Sequence, residues 1–166
     1  MVKLKYIFIV VVLTAAAAGA YPYFFQSDTT RIQKQIGRLA EMACKDGSET
    51  ELSAGVAARK ISRMFAAPCR IEAPGYGILR DYTPNDLSAS IGAVRRQHEE
   101  IDLVIYDVNV TEIKENTADV VFTAVLTSMP FSGHSVREFH EIAVQMLKSG
   151  RSWYFSDIRI VNVLEK

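Results

Sequence analysis

Apolar residues in the N-terminal half recur at the three- and four-residue spacing of an amphipathic helix in three stretches. Capping sequences precede them, among them Ser48-Glu49-Thr50-Glu51, which has the form of a capping box, and Thr83-Pro84-Asn85-Asp86, which places proline at the first helical position. We therefore expect three helices, which cover residues 27–45, 48–67 and 83–101. Two short strands are expected near residues 69–71 and 77–79, on either side of a Pro-Gly turn.

From Leu103 onward the pattern changes to alternation of apolar and polar residues, which is typical of strands with one buried face. Turn sequences at 114–117 and 149–150 separate the alternating runs. Four strands joined by short connections form an antiparallel meander. We expect them over residues 103–113, 118–127, 135–148 and 153–164.

The alternation assigns each side chain to one of two sheet faces. One face carries Val104, Tyr106, Val108, Val110, Val120, Phe122, Ala124, Leu126, Val136, Glu138, His140, Ile142, Val144 and Met146. The opposite, outer face is also half apolar and carries Leu103, Ile105, Val121, Val125, Phe139, Ala143 and Leu147. Monomers seldom expose so apolar a face, so we expect a partner there, such as a second copy of the chain, unless a bulge exchanges the two faces.

Residues 6–25 contain no charge and follow Lys3 and Lys5. Twenty helical residues rise about 30 Å, which is enough to span a bilayer. The same segment has the parts of a signal peptide, with an A-x-A cleavage site ending at Ala20. Residues 1–27 are therefore predicted to be a membrane anchor or a cleaved signal peptide. Residues 28–166 would form one domain on the extracytoplasmic side, tethered to the membrane or released to the periplasm.

The composition of the chain limits which partners, metals and cofactors we expect it to bind. Nineteen Lys and Arg balance nineteen Asp and Glu in 166 residues, so no net charge favours nucleic acid as a partner. The three histidines lack metal-ligand spacing and no glycine-rich phosphate loop is present, so we predict neither a metal nor a cofactor. Two local basic groups are either solvated helix faces or contacts for anionic lipid headgroups. They comprise Arg59, Lys60, Arg63 and Arg70, and Arg95 with Arg96.

The order helix, helix, short strand, helix and four antiparallel strands resembles the NTF2-like (cystatin-like α+β) superfamily, which includes SnoaL-like and ketosteroid-isomerase-like proteins. The resemblance covers about residues 29–164 and rests on the TPNDL helix start at 83–87, the IYDVNV and VVFTAVL strands and the closing strand from Trp153. It implies an α+β fold in which three helices of the N-terminal half pack on a curved, mainly antiparallel sheet, preceded here by one apolar N-terminal helix. It also implies a pocket between the helices and the concave sheet, but it carries over no catalytic residue.

Four side chains are candidates to line such a pocket: His98, Tyr106, Glu138 and His140. Glu138 and His140 are alternate residues of one strand, so they share a face on which the carboxylate could orient the imidazole for proton transfer. The alternative is that this strand end emerges into solvent. For His98 the alternative is a core residue bonded to a backbone carbonyl.

Cys44 and Cys69 are the only cysteines. In an oxidising compartment they would form a disulfide; alternatively, both are small core residues.

Three functional hypotheses follow. The first is a non-enzymatic, membrane-tethered module that binds a small apolar ligand or assembles with a protein partner. The second is a small-molecule enzyme of the isomerase, dehydratase or hydrolase type. The third is a component of a type IV secretion-like machine, because a short cytosolic N-terminus, one spanning helix and an outward domain resemble the bitopic inner-membrane subunit of such machines.

Overall fold

Three helices and six strands follow one another in the order α1 (Asp28–Ala43), α2 (Glu51–Ser62), β1 (Phe65–Ala73), β2 (Ile78–Tyr82), α3 (Pro84–Gln97), β3 (His98–Ile113), β4 (Thr117–Pro130), β5 (Val136–Ser149) and β6 (Ser152–Leu164). This computed structural model of the chain describes residues 27–164, with side chains through residue 161. The apolar segment predicted at residues 6–25 lies outside the described residues. Within them, no helix is both long enough and apolar enough to cross a membrane.

The strands form one mixed sheet in the order β2-β1-β6-β5-β4-β3. Neighbouring strands are antiparallel except β1 and β6, which are parallel. The predicted meander is confirmed, and so is the fold class of three helices on a curved, mainly antiparallel sheet. Strands β1 and β2 are longer than expected because they pair with each other along residues 69–73 and 78–82.

Side-chain caps set where the helices begin. Thr83 is the N-cap of α3, as predicted, and it also forms a capping box with Asp86, in which each side chain accepts a hydrogen bond from the other's backbone amide. The capping box predicted at Ser48 is wrong. The Ser48 hydroxyl donates to Asp46 (2.6 Å), and the side chain of Thr50 caps α2 instead.

Helix α3 is shorter than predicted. It ends at Gln97, and His98, which was expected on its apolar stripe, is the C-cap with an extended backbone (φ −118°, ψ 139°). Ile101 exchanges two backbone hydrogen bonds with Lys45, of 2.7 and 3.0 Å, and belongs to β3. Backbone pairing with distant residues therefore overrides the helical spacing of the apolar positions.

A β-bulge in β3 exchanges the two faces of that strand. Between Tyr106 and Asn109, two residues of β3 stand opposite one residue of β4. The extra residue is Asp107, whose φ of 54° lies in the left-handed region that Asp tolerates better than most residues. Leu103 and Ile105, predicted on the outer face, therefore pack against the core. Tyr106, predicted inside, lies on the outer face.

The core lies between the inner face of the sheet and helix α1. Its most buried large side chains are Ile32, Ile36, Met64, Val120, Phe122, Met146, Trp153 and Phe155. The rings of Phe65 and Phe155 pack with their centres 5.2 Å apart, and the amide of Phe155 donates to the carbonyl of Met64 (3.1 Å). Each fully buried large apolar side chain contributes about 1.5–3 kcal/mol, so this cluster is the main source of stability.

Helices α1 and α3 cap each other's C-terminal ends. The guanidinium of Arg95 is buried and donates to the carbonyls of Ala43 (2.9 Å) and Cys44 (3.0 Å) and to both carboxylate oxygens of Glu49 (2.6 and 3.1 Å). In return, the ammonium of Lys45 donates to the carbonyl of Arg95 (2.7 Å). These carbonyls have no partner inside their own helices. The prediction that Arg95 belongs to a solvated basic face is therefore wrong.

Asp28 joins the start of α1 to the β5–β6 hairpin. Its carboxylate accepts hydrogen bonds from Nζ of Lys148 (2.7 Å) and Nε1 of Trp153 (3.3 Å). The hydrogen bond from Lys148 lowers the pKa of Asp28 below its ordinary value, and this effect outweighs the opposing effect of burial. The carboxylate is therefore charged throughout the neutral range.

We expect Asp28→Asn to lower the free energy of unfolding by about 1 kcal/mol at neutral pH. Because the folded-state pKa is depressed, the contribution of Asp28 is full above the unfolded-state pKa of about 3.9 and is lost as the pH falls through the lower folded-state pKa. The difference between the variant and the native chain should therefore shrink toward about pH 3. Urea unfolding followed by circular dichroism measures it, with Glu115→Gln in an exposed turn as the control. A difference that is constant with pH would contradict the assignment.

Candidate functional site

Glu138 and His140 lie together on the inner face of the sheet, near the start of β5. Pairing with β4 places them opposite Leu126 and Ala124. Nε2 of His140 lies 3.4 Å from Oε2 of Glu138. The His140 side chain is 7% exposed and that of Glu138 is 35% exposed, so the pair reaches from the core to solvent. The structure thus brings together two of the four predicted site residues.

The second ring nitrogen of His140 is the unusual feature of this pair. Nδ1 is buried and has no hydrogen-bond partner among the described residues. When Nε2 carries the proton that it donates to Glu138, Nδ1 of the neutral ring is a hydrogen-bond acceptor. Buried polar atoms are nearly always paired, and an unpaired one costs about 1–3 kcal/mol. His140 therefore has a buried acceptor that no described residue satisfies.

Tyr76 lies beside His140 and was not among the predicted site residues. Its ring centre lies 6.3 Å from that of His140, with the rings tilted by 55°. Tyr76 ends the single 3-10 turn Pro74–Tyr76, and Gly77 then reverses the chain with a φ of 66°, a conformation that favours glycine. The turn was visible in the sequence, but no local pattern indicates that it packs beside β5.

The other two predicted site residues lie elsewhere. Tyr106 is 49% exposed on the outer face of the sheet, immediately before the bulge. Nδ1 of His98 lies 2.9 Å from the carbonyl oxygen of Val94, one helical turn earlier in α3. His98 therefore contacts a backbone carbonyl, as the alternative to a pocket role predicted, but it lies at a helix end rather than in the core.

The interior beyond His140 is filled by side chains. Phe122 and Val144 are buried on the inner face, and Ile142 packs against them. Five clefts of about 350–590 Å³ open on the described residues, and none of these five is lined by His140. The Glu138–His140 site is thus a small group at the margin of the packed interior, with Glu138 partly exposed to solvent.

Both cysteines are free thiols, so the disulfide alternative is not what the structure shows. Cys44 follows α1 and contacts Asp102 and Leu103 at the β3 edge, whereas Cys69 is fully buried in β1. Four strand spacings, about 19 Å along the sheet, separate β1 from β3. Burial raises the pKa of the Cys69 thiol to about 12, which makes it a core residue of low reactivity. Within residues 27–164 no three His, Cys, Asp or Glu residues are grouped so that they could hold a metal ion.

We expect His140→Leu to raise the free energy of unfolding by about 1 kcal/mol, because leucine removes the unpaired buried nitrogen and keeps a similar volume. Glu138 is partly exposed, so solvent replaces the contact that it loses. Urea unfolding measures the change, and His98→Leu, at a site outside the core, is the matched control. A loss of stability at His140 that exceeds the change at His98 would show that Nδ1 is already paired in the native protein.

Comparison with known proteins yields structural neighbours only. No family model and no curated protein matches the sequence. An NTF2-like protein with a cystatin-like fold from Novosphingobium aromaticivorans is 14% identical, with a TM-score of 0.61 over 98% of this chain and 92% of that one. A proposed dehydratase of the NTF2-like family from Streptomyces avermitilis is 15% identical, with a TM-score of 0.64 over 83% and 98%.

A proposed scytalone dehydratase, also from Novosphingobium aromaticivorans, is 8% identical, with a TM-score of 0.64 over 84% of this chain and 87% of that one. Similarity at such low identity establishes architecture and carries no activity across. Together with the sheet order and the helix packing, these neighbours show that the described chain has the NTF2-like, cystatin-like α+β fold.

Proposed function

We propose that this protein is a binding module whose NTF2-like domain takes a small, largely apolar ligand that carries one hydrogen-bond donor. The observation behind the proposal is the buried, unpaired Nδ1 of His140. The ligand's donor would bond to this atom, and its apolar part would lie against the ring of Tyr76, 6.3 Å from the imidazole.

The residues around the imidazole of His140 favour binding over catalysis. General acid–base catalysis needs a second polar group placed on the reacting molecule, in addition to the group that orients the base. Of the residues predicted for the pocket, only Glu138 reaches His140, and it contacts the ring rather than the space beside Nδ1. Tyr106 and His98 are on other surfaces.

The proposal is tested by comparing the affinities of two probe molecules that differ in a single hydrogen-bond donor. We expect 4-fluorophenol to bind about tenfold more tightly than 4-fluorotoluene, because only the phenol donates to Nδ1 and such a bond contributes about 1.5 kcal/mol. Fluorine NMR titration of the full chain measures both affinities. His140→Leu should abolish the preference, while the control His98→Leu should retain it. Equal affinity of the native protein for the two probes would refute the proposal.

An enzyme is the second candidate, and the 3.4 Å contact between Glu138 and His140 is the observation that favours it. A carboxylate that accepts from one imidazole nitrogen makes the other nitrogen a better base. Two of the structural neighbours are described as proposed dehydratases. If a phenolic or hydroxylated compound bound at His140 were converted rather than released unchanged, and His140→Leu slowed the conversion about 100-fold or more, catalysis would replace binding as the function.

We further propose that residues 6–25 tether the domain to a membrane and place it on the extracytoplasmic side. Twenty uncharged residues after Lys3 and Lys5 support this proposal. Extraction of membranes with alkaline carbonate tests it, because a spanning anchor stays in the membrane pellet. Soluble protein that begins at Tyr21 would indicate a cleaved signal peptide instead. A place in a type IV secretion-like machine stays a prediction.

We also propose that the chain forms a homodimer through the outer sheet face. With the bulge taken into account, the apolar residues of this face include Val104, Tyr106, Val121, Val125, Phe139, Ala143 and Leu147. Light scattering of the native chain and of Val121→Asp tests it: the native chain should be a dimer and the variant a monomer. A monomeric native chain would rule the dimer out.

A further inference from the structure

Helix α2 presents two apolar side chains to solvent. Leu52 is 80% exposed and Val56 is 47% exposed, and their spacing of four residues places them on the same side of the helix. The opposite side of α2 carries Ala54, Ala58 and Ile61, which are buried. The packing of the domain therefore does not use Leu52 and Val56.

Basic residues continue this exposed side toward the end of α2. Arg59, Lys60 and Arg63 are all exposed and line a cleft of about 350 Å³ together with Leu52 and Val56. A second cleft of about 590 Å³, between α1 and α2, adds Arg38 opposite Lys60 and Arg63. We call Leu52, Val56, Arg59, Lys60, Arg63 and Arg38 the α2 patch.

Nearby acids offset only part of the positive charge of the α2 patch. Among the described residues, none of its four cations takes part in an ion pair. Exposed Glu51 and Glu41 are the acids that line the two clefts. The chain as a whole is neutral by formal charge, so this local excess of cations is a property of one surface rather than of the composition.

We propose that the α2 patch docks on the surface of an anionic lipid bilayer. Cations beside exposed aliphatic side chains, on the exposed side of α2 and on neighbouring α1, are complementary to phosphate headgroups and the adjoining acyl boundary. Two apolar side chains are too few for the core of a stable protein interface, which buries about 800 Å² on each partner. A bilayer needs no matching shape and accepts a protruding leucine directly.

The position of the patch suits a domain held close to lipid. Arg38 lies ten residues after the start of α1, which is about 15 Å along the helix. The apolar segment proposed as the tether ends at Phe25, three residues before α1 begins at Asp28. A tether there would hold the patch within reach of the headgroups. The docking surface itself consists only of described residues and does not depend on the ligand at His140.

Hydrogen exchange of the full chain on lipid nanodiscs tests the proposal. We expect amides of residues 51–63 to exchange about fivefold more slowly, or slower still, on discs that contain phosphatidylglycerol than on pure phosphatidylcholine discs. High salt should remove the difference, because screening weakens contacts with headgroups. The triple variant Arg59→Gln, Lys60→Gln, Arg63→Gln should remove it too, as should the double variant Leu52→Gln, Val56→Gln.

The matched control is Arg70→Gln, Arg96→Gln, Lys114→Gln, which removes the same charge from exposed positions outside the patch and should keep the protection. If the N-terminal segment does not insert, phosphatidylcholine discs will retain no protein, while phosphatidylglycerol discs will retain it through α2 alone. Failure of the tether and failure of the patch therefore give different results. Equal exchange on both lipids, or slowing by soluble polyglutamate but not by lipid, would overturn the proposal.

Discussion

Arg95→Ala is expected to lower the free energy of unfolding by about 3–5 kcal/mol, the usual cost of removing one partner of a buried ion pair. The substitution leaves the largely buried Glu49 carboxylate without its guanidinium and the carbonyls of Ala43 and Cys44 without a donor. A loss of this size is a large part of the 5–15 kcal/mol of a typical domain. Urea unfolding at neutral pH, followed by circular dichroism, measures it.

Arg96→Ala is the matched control, because it removes an exposed arginine from the next position of the same helix. We expect it to change stability by less than about 0.5 kcal/mol. The double variant Arg95→Met, Glu49→Leu should recover much of the loss, because an apolar pair leaves no unpaired charge. If Arg95→Ala and Arg96→Ala cost the same, the mutual capping of α1 and α3 does not contribute to stability.

Phe155→Ala is expected to cost a comparable amount, about 3–5 kcal/mol, and to lower Tm by roughly 10 °C or more. Phe155 is fully buried, packs on the ring of Phe65 and lies beside Met146 across β5 and β6. Removing the ring leaves a cavity at the centre of the cluster on which α1 rests. The substitution leaves Trp153 in place, so its fluorescence reports on unfolding.

Val161→Ala tests the same strand at an exposed position, where 46% of the residue is in contact with solvent. We expect a change of no more than about 0.5 kcal/mol there. Both substitutions shorten an apolar side chain of β6. The difference between their losses of unfolding free energy therefore reports on burial rather than on strand propensity. A loss at Phe155 of less than about 1 kcal/mol would mean that this end of the core is loosely packed.

The sequence predicted the order and type of the elements well. Helix starts such as Thr83-Pro84-Asn85-Asp86 and the alternating strands after Leu103 depend on neighbouring residues, so local patterns reveal them. Helix and strand ends were less accurate. The third helix was predicted to continue through Ile101, because apolar residues keep a helical spacing there, but Lys45, far away in the sequence, pairs with Ile101 as a strand.

The candidate site was predicted only in part, because local patterns reveal which residues share a strand face but not which distant segments pack beside them. Glu138 and His140 share a face because they are alternate residues of one strand, and the structure has them in contact. Tyr106 followed the same rule and was placed on the wrong face, because a single extra residue at Asp107 inverts the alternation. No sequence signal marked Tyr76, whose position depends on where its turn packs.

By itself, the sequence determined the caps of α1 and α3, the succession of helices and strands, the uncharged N-terminal segment and the pairing of Glu138 with His140. Each of these depends on residues within a few positions of one another. Only the tertiary structure decided that Arg95 is a buried cap and that Nδ1 of His140 has no partner. Such features arise where segments distant in the chain meet, because burial and hydrogen-bond pairing depend on the elements that surround a side chain.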